Sequence, residues 1–480
     1  MHTQFLQAIK WNTINVFLYK FLLQTHQACL FYAVSKELFG TSGTIFSSIY
    51  LLISLTNFGF DYSLFSFYHE YSSSQTRFKS LVKQYALRAM VTLLVVACIS
   101  IVGVFGAEIK IVDFFLRSVP RALLPFLACI FITESLKKSL EVLAQLSFLN
   151  KSITILEIGT IVTYLTVVWS SYLIRGSIDL YSIFIPMALT SAFELVLLVK
   201  RLYLYYLTLP TCEVSEEQND TLLFSGSTSD SPTSSSSGLT RGSSIKSSYI
   251  LTNQAINYVN QVAKAFFSPN FLILFLAYHL GMVRAGYIKL FTDIVILLYM
   301  LLNRSVGIPS GALLSKLPRG TLLDQLAIKT TFLKITNAYI QFLYALAATI
   351  TAAIAPCILK SSCFQPIITT NVLLFIFAAF VEYVVITYEK LYITQHASKY
   401  LAMINSVSML CLGVALYHST TLPSSLILIP IIVIRFVTVG IIAFVAHRKW
   451  FLFPDLKIHF KTLLISLAAS SVCLSWHYLL

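Results

Sequence analysis

The chain contains a long succession of apolar runs, each about 18 to 25 residues long and separated by short polar segments. A helix of about 20 residues crosses the roughly 30 Å hydrocarbon core of a bilayer, so these runs have the length of membrane spans. With 57% hydrophobic residues, 11% charged residues and a mean hydropathy of +0.78, the chain has more apolar side chain than one soluble core encloses. Strands of a membrane barrel would instead alternate polar and apolar residues over about ten positions. The sequence therefore predicts an all-α integral membrane protein.

The apolar runs predict about 12–13 transmembrane helices. The spans are 12–34, 43–67, 86–106, 122–136, 152–174, 178–200, 250–275, 287–307, 331–354, 367–388, 399–417, 424–446 and 462–480. The first run is too long, and too polar at Lys20 and Gln24, to be a cleavable signal peptide.

Lysine and arginine are distributed unevenly between alternate loops. With a cytoplasmic N-terminus, most of the 34 residues of these two types fall on the cytoplasmic side, for example Arg77, Lys79 and Lys83 after the second span. This asymmetry is typical of proteins of the inner (plasma) membrane. It predicts a multi-pass topology with the N-terminus inside. Topology also explains the net charge of +14, and no nucleic-acid partner is needed.

A polar run divides the chain into two parts. Residues 209–248 read LPTCEVSEEQNDTLLFSGSTSDSPTSSSSGLTRGSSIKSS, which cannot bury enough apolar area to fold. A flexible chain of about 40 residues averages roughly 35 Å end to end, enough to cross the cytoplasmic face between two bundles. We predict an N-terminal six-helix bundle, a disordered cytoplasmic linker, a C-terminal six-helix bundle and an extra C-terminal helix. Their ranges are 1–208, 209–248, 249–450 and 451–480.

The two predicted bundles begin with the same pattern of spans and glycines. Residues 35–59, SKELFGTSGTIFSSIYLLISLTNFG, contain a loop glycine, Gly40, and a second span that ends near another glycine, Gly59. The second bundle repeats this with Gly286 in the loop and Gly307 near the end of the eighth span. Because spans one and seven would run in the same direction, the halves are predicted to be related by a pseudo-twofold axis along the membrane normal. The alternative is that any two helical hairpins look alike, so that the likeness would not indicate an internal repeat.

The first span of each bundle carries a stripe of polar residues on one helical face. The stripes include Lys20, Gln24 and Gln27 in the first span, and Asn257, Gln261 and Lys264 in the seventh. A charged group near the bilayer centre costs roughly 3 kcal/mol, so such a stripe is expected to face protein or water. Two facing stripes indicate a polar cavity between the bundles. The alternative is that the amides bond helix to helix and the lysines extend to the cytoplasmic interface.

Further charges lie in other spans. Lys289 and Asp293 are one helical turn apart in the eighth span, with Arg284 just outside it, and they either neutralise each other or face a ligand. The acidic residues that could couple transport to an ion, or could equally be packed partners between helices, are Asp61, Asp293, Glu157 and Glu382. The closely spaced charges after the fourth span predict a helix that extends into the cytoplasm; they are Glu134, Lys137, Lys138 and Glu141.

Signatures of enzymes are missing from the sequence. It contains no G-x-x-x-x-G-K-[ST] phosphate loop, no H-E-x-x-H zinc motif, no G-x-S-x-G nucleophile motif and no cofactor fingerprint. The nine histidines are scattered, and no metal-ligand spacing connects the eight cysteines. A disulfide between Cys357 and Cys363, in a predicted external loop, is an open possibility. We predict a protein that is not an enzyme and carries no cofactor or metal.

The stretch SKELFGTSGTIFSSIYLLISLTNFGFD resembles the first hairpin of the polysaccharide transporters of the multidrug/oligosaccharidyl-lipid/polysaccharide (MOP) superfamily. LGMVRAGYIKLF, residues 280–291, and GIPS, residues 307–310, are similar to the matching stretch of that family's second half. The chain departs from the family pattern at Ser35 and Lys36, where the family usually has leucine and glycine, and in its long central linker.

This resemblance implies a flippase, similar to O-antigen flippases, that moves a polyprenyl-diphosphate-linked oligosaccharide from the cytoplasmic to the outer leaflet. Lys20, Lys264, Arg284 and Lys289 would then neutralise phosphate, and the amides would contact sugar hydroxyls. Membrane lipid and other proteins of glycan assembly would be its partners. The alternatives are a drug or small-cation exporter of the same superfamily, a polymerase or ligase of O-antigen, and a membrane scaffold without transport activity.

Overall fold

The structure of the chain is a computed structural model. It describes residues 2–61, 64, 75–104, 119–209, 211, 247–290, 293, 371, 374, 388–393, 397–419, 422–424 and 426–450. Most of the predicted linker 209–248, the ninth span, the extra helix 451–480, Glu382, Gly307, Cys357 and Cys363 lie outside these residues.

The described residues form helices and contain no strand. The helices are α1 (His2–Ala33), α2 (Lys36–Leu55), α3 (Gln75–Val104), α4 (Leu124–Leu146), α5 (Asn150–Arg175), α6 (Leu180–Leu207), α7 (Ser247–Ala265), α8 (Pro269–Leu280), α9 (Ser398–Ser419) and α10 (Ile429–Trp450). Residues 282–290 and 388–393 are also helical. Seven stretches of the described chain are long and apolar enough to cross a membrane. The predicted class, an all-α protein with many membrane spans, is confirmed.

The helices expose apolar side chains and bury polar ones, which is the reverse of a soluble protein. On α6, Leu189, Phe193 and Val196 are exposed, whereas Ser191 and Glu194 are buried. A surface of this kind is stable only against lipid, because in water its apolar area would drive association. The described helices therefore have an apolar exterior suited to lipid, and polar groups are buried between them.

Local sequence sets where the helices begin and end. The side chains of Ser35, Asp179 and Ser268 accept hydrogen bonds from the backbone N–H three residues later, and these caps start α2, α6 and α8. Gly176 ends α5 in the left-handed conformation at φ +70°, which glycine adopts without steric cost.

The predicted seventh span is one helix from 250 to 275, but the structure divides it into α7 and α8. The α7 helix ends at Ala265, and α8 starts again with Ser268 as its cap and Pro269 in its first turn. Proline has no N–H to donate and clashes with the preceding turn inside a helix, so the helix is interrupted here. The break begins one residue after Lys264.

The first half is a bundle in which α4 packs against α2, α3 and α6, and α5 packs against α1 and α6. In the second half, α9 packs against α7 and α10. The two halves meet mainly through α2, which contacts both α7 and α8. One apolar cluster also contains residues of both halves, among them Phe60 and Leu140 of the first and Leu391 and Ile442 of the second. We call the two ends of the α2 contact the Gly40 end and the Gly59 end.

Candidate functional site

A buried group of charges lies inside the first half, around Lys137 of α4. The Lys137 Nζ atom lies 2.6 Å from Glu134 Oε1, 3.0 Å from Glu194 Oε2 and 4.0 Å from Glu141 Oε1. Ser191 of α6 donates a hydrogen bond to Glu134 Oε1 at 2.5 Å. One cation is thus surrounded by three carboxylates, and this group connects α4 to α6.

The fourth helix continues beyond its predicted span, as these charges predict, but most of the charges are buried; whether it extends into the cytoplasm stays a prediction. The helix does continue to Leu146, but Glu134, Lys137 and Glu141 are buried, and only Lys138 is exposed. Charges three and four residues apart pair in the same way on a solvated surface and inside a bundle. Glu194, which is distant in sequence, supplies the partner that makes burial possible.

Glu157 of α5, predicted as an ion-coupling residue, joins the same group. It is 3% exposed, and one carboxylate oxygen from each of Glu141, Glu157 and Glu194 lies within 4.8 Å of the other two. Carboxylates this close repel each other when all are ionised, so they favour sharing a proton or a small cation. A group of carboxylates this close together is able to bind a proton or a small cation.

Asp61, also predicted as an ion-coupling residue, is held by the first half at the Gly59 end. Its carboxylate accepts hydrogen bonds from Asn57 at 2.5 Å and from Ser139 of α4 at 2.6 Å. Arg88 Nη1 of α3 lies 3.8 Å from Asp61 Oδ1, and Arg88 Nη2 donates to the Ser135 carbonyl at 2.9 Å. Asp61 is therefore well satisfied within its own half.

At the Gly59 end, the chain after α2 lies against the polar stripe of α7. A Cβ on Gly59 would overlap the carbonyl oxygen of Gln254. Gln261 donates its side-chain amide to the Ser54 carbonyl at 2.9 Å. Asn257 is fully buried, and neither polar atom of its side chain has a hydrogen-bond partner among the described residues. The predicted amide stripe therefore faces the contact between the halves.

Lys264 continues this stripe and lies beside charges that sequence reasoning missed. Its Nζ atom forms an ion pair with Glu389 Oε2 at 2.6 Å. The next residue, Lys390, is 7% exposed, so a second lysine is buried directly after the partner of Lys264. Two adjacent charges between the apolar residues of the stretch 382–393 were the signal that could have identified them.

At the Gly40 end, the two glycines that the sequence predicts to lie in loops lie in helices instead, Gly40 in α2 and Gly286 in the segment 282–290, and they contact each other. A Cβ on Gly286 would lie 2.8 Å from the Gly40 Cα atom. Gln24 of α1 donates to the Leu290 carbonyl at 3.2 Å, and the rings of Phe31 and Tyr287 are 5.1 Å apart. The segments that the sequence predicts to be equivalent thus meet directly, and the pseudo-twofold relation between them stays a prediction.

Lys289 and Asp293 form the ion pair that their spacing predicts. The Lys289 Nζ atom lies 2.6 Å from Asp293 Oδ2, and the lysine stem passes α2, where a Cβ on Gly43 would be 2.9 Å from its Cδ. The pair is part of the contact at the Gly40 end.

Substituting Gly40 with alanine should lower the free energy of unfolding by about 1–3 kcal/mol, because the new methyl group would overlap the rigid Met282 backbone carbonyl. The matched control is Gly159→Ala on α5, where a Cβ would have no neighbour within 4 Å. Thermal unfolding of the purified variants in detergent compares them. Equal melting temperatures for the two variants would contradict close contact at the Gly40 end.

A second polar group lies inside the second half. Arg435 of α10 donates to Asn405 Oδ1 at 2.8 Å, and Asn405 donates to Asn260 Oδ1 of α7 at 2.6 Å. The Arg435 guanidinium lies 5.1 Å from the centre of the Phe267 ring. This series of hydrogen bonds fixes α7 against α9 and α10, and so holds the amide stripe in place.

The structure separates the predicted site residues into groups. Asn257, Gln261, Lys264 and Asp61 lie at the Gly59 end; Gln24, Lys289 and Asp293 lie at the Gly40 end; and Glu157 lies among the carboxylates of the first half. Gln27 and Arg284 are half-buried on α1 and on the segment 282–290. Lys20 belongs to α1, but its side chain lies outside the described part of the chain, as does Glu382.

Comparisons with known proteins give no match to a protein-family model and no match to a curated protein. Solved structures do match over nearly the whole chain. A mutant of the Vibrio cholerae MATE transporter VcmN is 11% identical, with a TM-score of 0.56 over 93% of this chain and 96% of its own. The eukaryotic MATE transporter AtDTX14 is 13% identical, with a TM-score of 0.57 over 96% of this chain and 100% of its own.

A MOP-superfamily transporter from Pyrococcus furiosus is similar at 10% identity, with a TM-score of 0.57 over 93% of this chain and 95% of its own. At identities this low the likeness concerns the fold. The chain has the fold of MATE transporters of the MOP superfamily, which are membrane proteins of two helical bundles.

Proposed function

We propose that the chain is a secondary transporter that moves a polyprenyl-diphosphate-linked oligosaccharide from the cytoplasmic to the outer leaflet by alternating access. The observation that carries this proposal is the polar stripe of α7, formed by Asn257, Gln261 and Lys264, at the contact between the halves. A buried amide without a partner is costly in an interface that never opens. In an interface that opens, the same amide is available to a polar ligand.

The chemistry of this stripe fits the proposed substrate. Lysine binds phosphate as a strong point charge, and asparagine and glutamine both donate to and accept from sugar hydroxyls. Lys264 is one lysine of this region and Lys390, the residue after its partner Glu389, is a second, and a diphosphate carries at least two negative charges. The lipid tail can remain in the bilayer outside the bundle, because the exterior of the helices is apolar.

Alternating access requires the two ends of the α2 contact to open in turn. With the N-terminus in the cytoplasm, the Gly59 end is the cytoplasmic gate and the Gly40 end is the outer gate. The linker 209–248 then lies in the cytoplasm as a tether. In this proposal, Lys20 on α1 is the first-half counterpart of Lys264. Arg284 and Lys289 are cations that the headgroup contacts near the outer gate.

The carboxylates around Lys137 supply the site for a coupling ion. Glu157, Glu141 and Glu194 are buried close together, so a proton or small cation that binds there reduces their mutual repulsion. Binding would tighten the contacts of α4, α5 and α6, and the shape of the first half would then depend on the ion. Inner-membrane localisation and partners in glycan assembly are part of the same proposal.

One alternative is a multidrug or cation exporter. The same carboxylates favour it, since acidic groups attract cationic drugs, and the similar structure of DinF-BH is described as a MATE multidrug transporter. A membrane scaffold without transport activity is a weaker alternative, because it gives no role to the amide stripe.

The test is export of glycan by Lys264→Met and Lys20→Met in cells whose own flippase has been deleted. Methionine has a similar length and removes only the charge, so both variants should insert normally and lose export. Arginine at either position should retain part of the activity, because its planar fork replaces a point charge.

The control is Lys200→Met, which removes an exposed lysine from α6 and should leave export unchanged. Membrane abundance is measured beside surface glycan. Full export by both methionine variants would reject a diphosphate substrate, and resistance to cationic drugs that is lost in Glu157→Gln would then favour the exporter.

A further inference from the structure

Two lysines from different helices lie near one tyrosine ring at the Gly59 end. The Nζ atom of Lys399, in the first turn of α9, is 5.4 Å from the centre of the Tyr400 ring. The Nζ atom of Lys449, in the last turn of α10, is 4.6 Å from the same centre. Tyr400 packs against the apolar cluster that contains Phe60. Two exposed ammonium groups are thus brought together on the outside of the bundle, because the ring attracts both.

The charges around this ring favour an anion. The last turn of α10 carries His447 and Arg448 as well as Lys449, and the first turn of α9 carries no acidic residue. The N-terminus of a helix is the positive end of its dipole, so a lysine in the first turn is unfavourable by itself. An anion beside Lys399 would reverse this effect and would also reduce the repulsion between the two lysines.

The exposed face of α9 continues from Lys399 as an apolar stripe. The members of the stripe follow Lys399 at intervals of three and four residues, which places them on one side of the helix. They are 57% to 73% exposed, and they are Met403, Val407, Leu410, Val414 and Tyr417. A phospholipid has the same arrangement, with a charged phosphate at one end and apolar chains beyond it. The stripe therefore offers a surface to acyl chains directly next to the two lysines.

We propose that Lys399 and Lys449 bind the phosphate of an anionic membrane phospholipid whose acyl chains lie along the apolar stripe of α9. The occupant is a lipid of the bilayer rather than the transported substrate, because the stripe is exposed, whereas α9 meets α7 through the buried Asn405. With the N-terminus in the cytoplasm, the site lies in the inner leaflet, whose anionic lipids attract lysine and arginine. The proposal does not depend on which molecule the chain transports.

A lipid bound at this site would act on the Gly59 end through Tyr400. The cluster that Tyr400 packs against joins Leu401 and Ile442 of the second half to Phe60 of the first. A phosphate that binds both lysines connects the beginning of α9 to the end of α10 around this ring. Because the lipid binds the folded chain, it should raise the stability of the chain by mass action.

The experiment measures thermal unfolding of the full chain in detergent. Dioleoylphosphatidylglycerol is the probe, and dioleoylphosphatidylcholine has the same chains without net charge. The first lipid should raise the melting temperature in a saturable way and at a much lower concentration than the second. Lys399→Gln and Lys449→Gln should each raise the concentration of phosphatidylglycerol for half effect by about fivefold, which corresponds to roughly 1 kcal/mol per lysine. Both lysines are exposed, so the variants should fold as the parent does.

Lys200→Gln is the matched control and should respond to phosphatidylglycerol like the parent. Lys200 is exposed on α6 at the same end, since Leu198 and Leu202 beside it belong to the same apolar cluster. Equal half-effect concentrations for the parent and for a double variant of Lys399→Gln and Lys449→Gln would overturn the site. A change in Lys200→Gln as large as theirs would also overturn it, because any exposed lysine would then suffice.

Free glycerol phosphate distinguishes a lipid from a soluble anion. It carries the charged part of the headgroup without acyl chains, so at the same concentration it should not raise the melting temperature. Stabilisation by glycerol phosphate equal to that by phosphatidylglycerol would show that the stripe of α9 contributes nothing, and the proposal of a lipid would be wrong.

Discussion

Replacing Lys137 with methionine should lower the free energy of unfolding by about 3–5 kcal/mol, the range found when one partner of a buried ion pair is removed. The substitution leaves Glu134 and Glu194 close together without the cation that now lies 2.6 and 3.0 Å from them. Protonation of a carboxylate would relieve part of this repulsion, so the loss should be smaller at acid pH. Thermal unfolding in detergent at several pH values measures it.

The neighbouring lysine provides a matched control. Lys138 is exposed on the same helix, so Lys138→Met should change the stability by no more than about 0.5 kcal/mol. Adding Glu134→Gln to Lys137→Met should recover part of the loss, because one unpaired charge is removed with its partner. If Lys137→Met and Lys138→Met were equally stable, the buried charge group would have no structural role.

The class of fold could be predicted because, in a membrane protein, an apolar run of this length indicates a helix that crosses the bilayer. A run such as 178–200 must be helical to satisfy its backbone in lipid, and α6 covers it from Leu180 onward. The break between α7 and α8 was also present in the sequence, as Ser268 followed by Pro269. Hydropathy obscured it, since both sides of the break are apolar.

The charge groups could not be predicted, because they depend on contacts between distant residues. Glu134 and Lys137 predict a solvated helix as readily as a buried pair, and only Glu194, 57 residues from Lys137, decides between them. The same is true of Lys264, whose partner Glu389 is 125 residues away. The sequence identified which residues were unusual, and the structure identified their partners.

The contact between the two repeated hairpins could be predicted only in part. The matching glycines of the two hairpins predicted equivalent positions, and the structure brings Gly40 and Gly286 into contact. Glycine was needed there because the backbones of two halves approach more closely than any side chain permits. Sequence comparison within the chain therefore located a contact between the halves, although it predicted loops at these glycines and could not state that the two segments touch.

Substituting Gly59 with alanine should open the Gly59 end of the contact. Gly59 has φ +69°, which costs a residue with a side chain about 1–2 kcal/mol. Its Cβ would also lie 2.7 Å from the Tyr258 backbone nitrogen and overlap the Gln254 carbonyl oxygen. Backbone atoms of α7 cannot rotate away, so we expect a further loss of about 1–3 kcal/mol as α7 is pushed from the end of α2. Thermal unfolding measures the loss of stability. Cross-linking of two cysteines, introduced as Phe58→Cys and Tyr258→Cys, measures the opening of the Gly59 end.

Gly176 separates the two contributions, because it has the same backbone conformation without the contact. Its φ is +70°, and a Cβ there would have no neighbour within 4 Å. Gly176→Ala should therefore lose only the conformational part of the stability and cross-link at the Gly59 end as the parent does. The difference between the two variants measures what the contact between the halves contributes at this end. If Gly59→Ala lost no more stability than Gly176→Ala and cross-linked normally, α2 and α7 would not be in close contact, and the Gly59 end could not act as a gate.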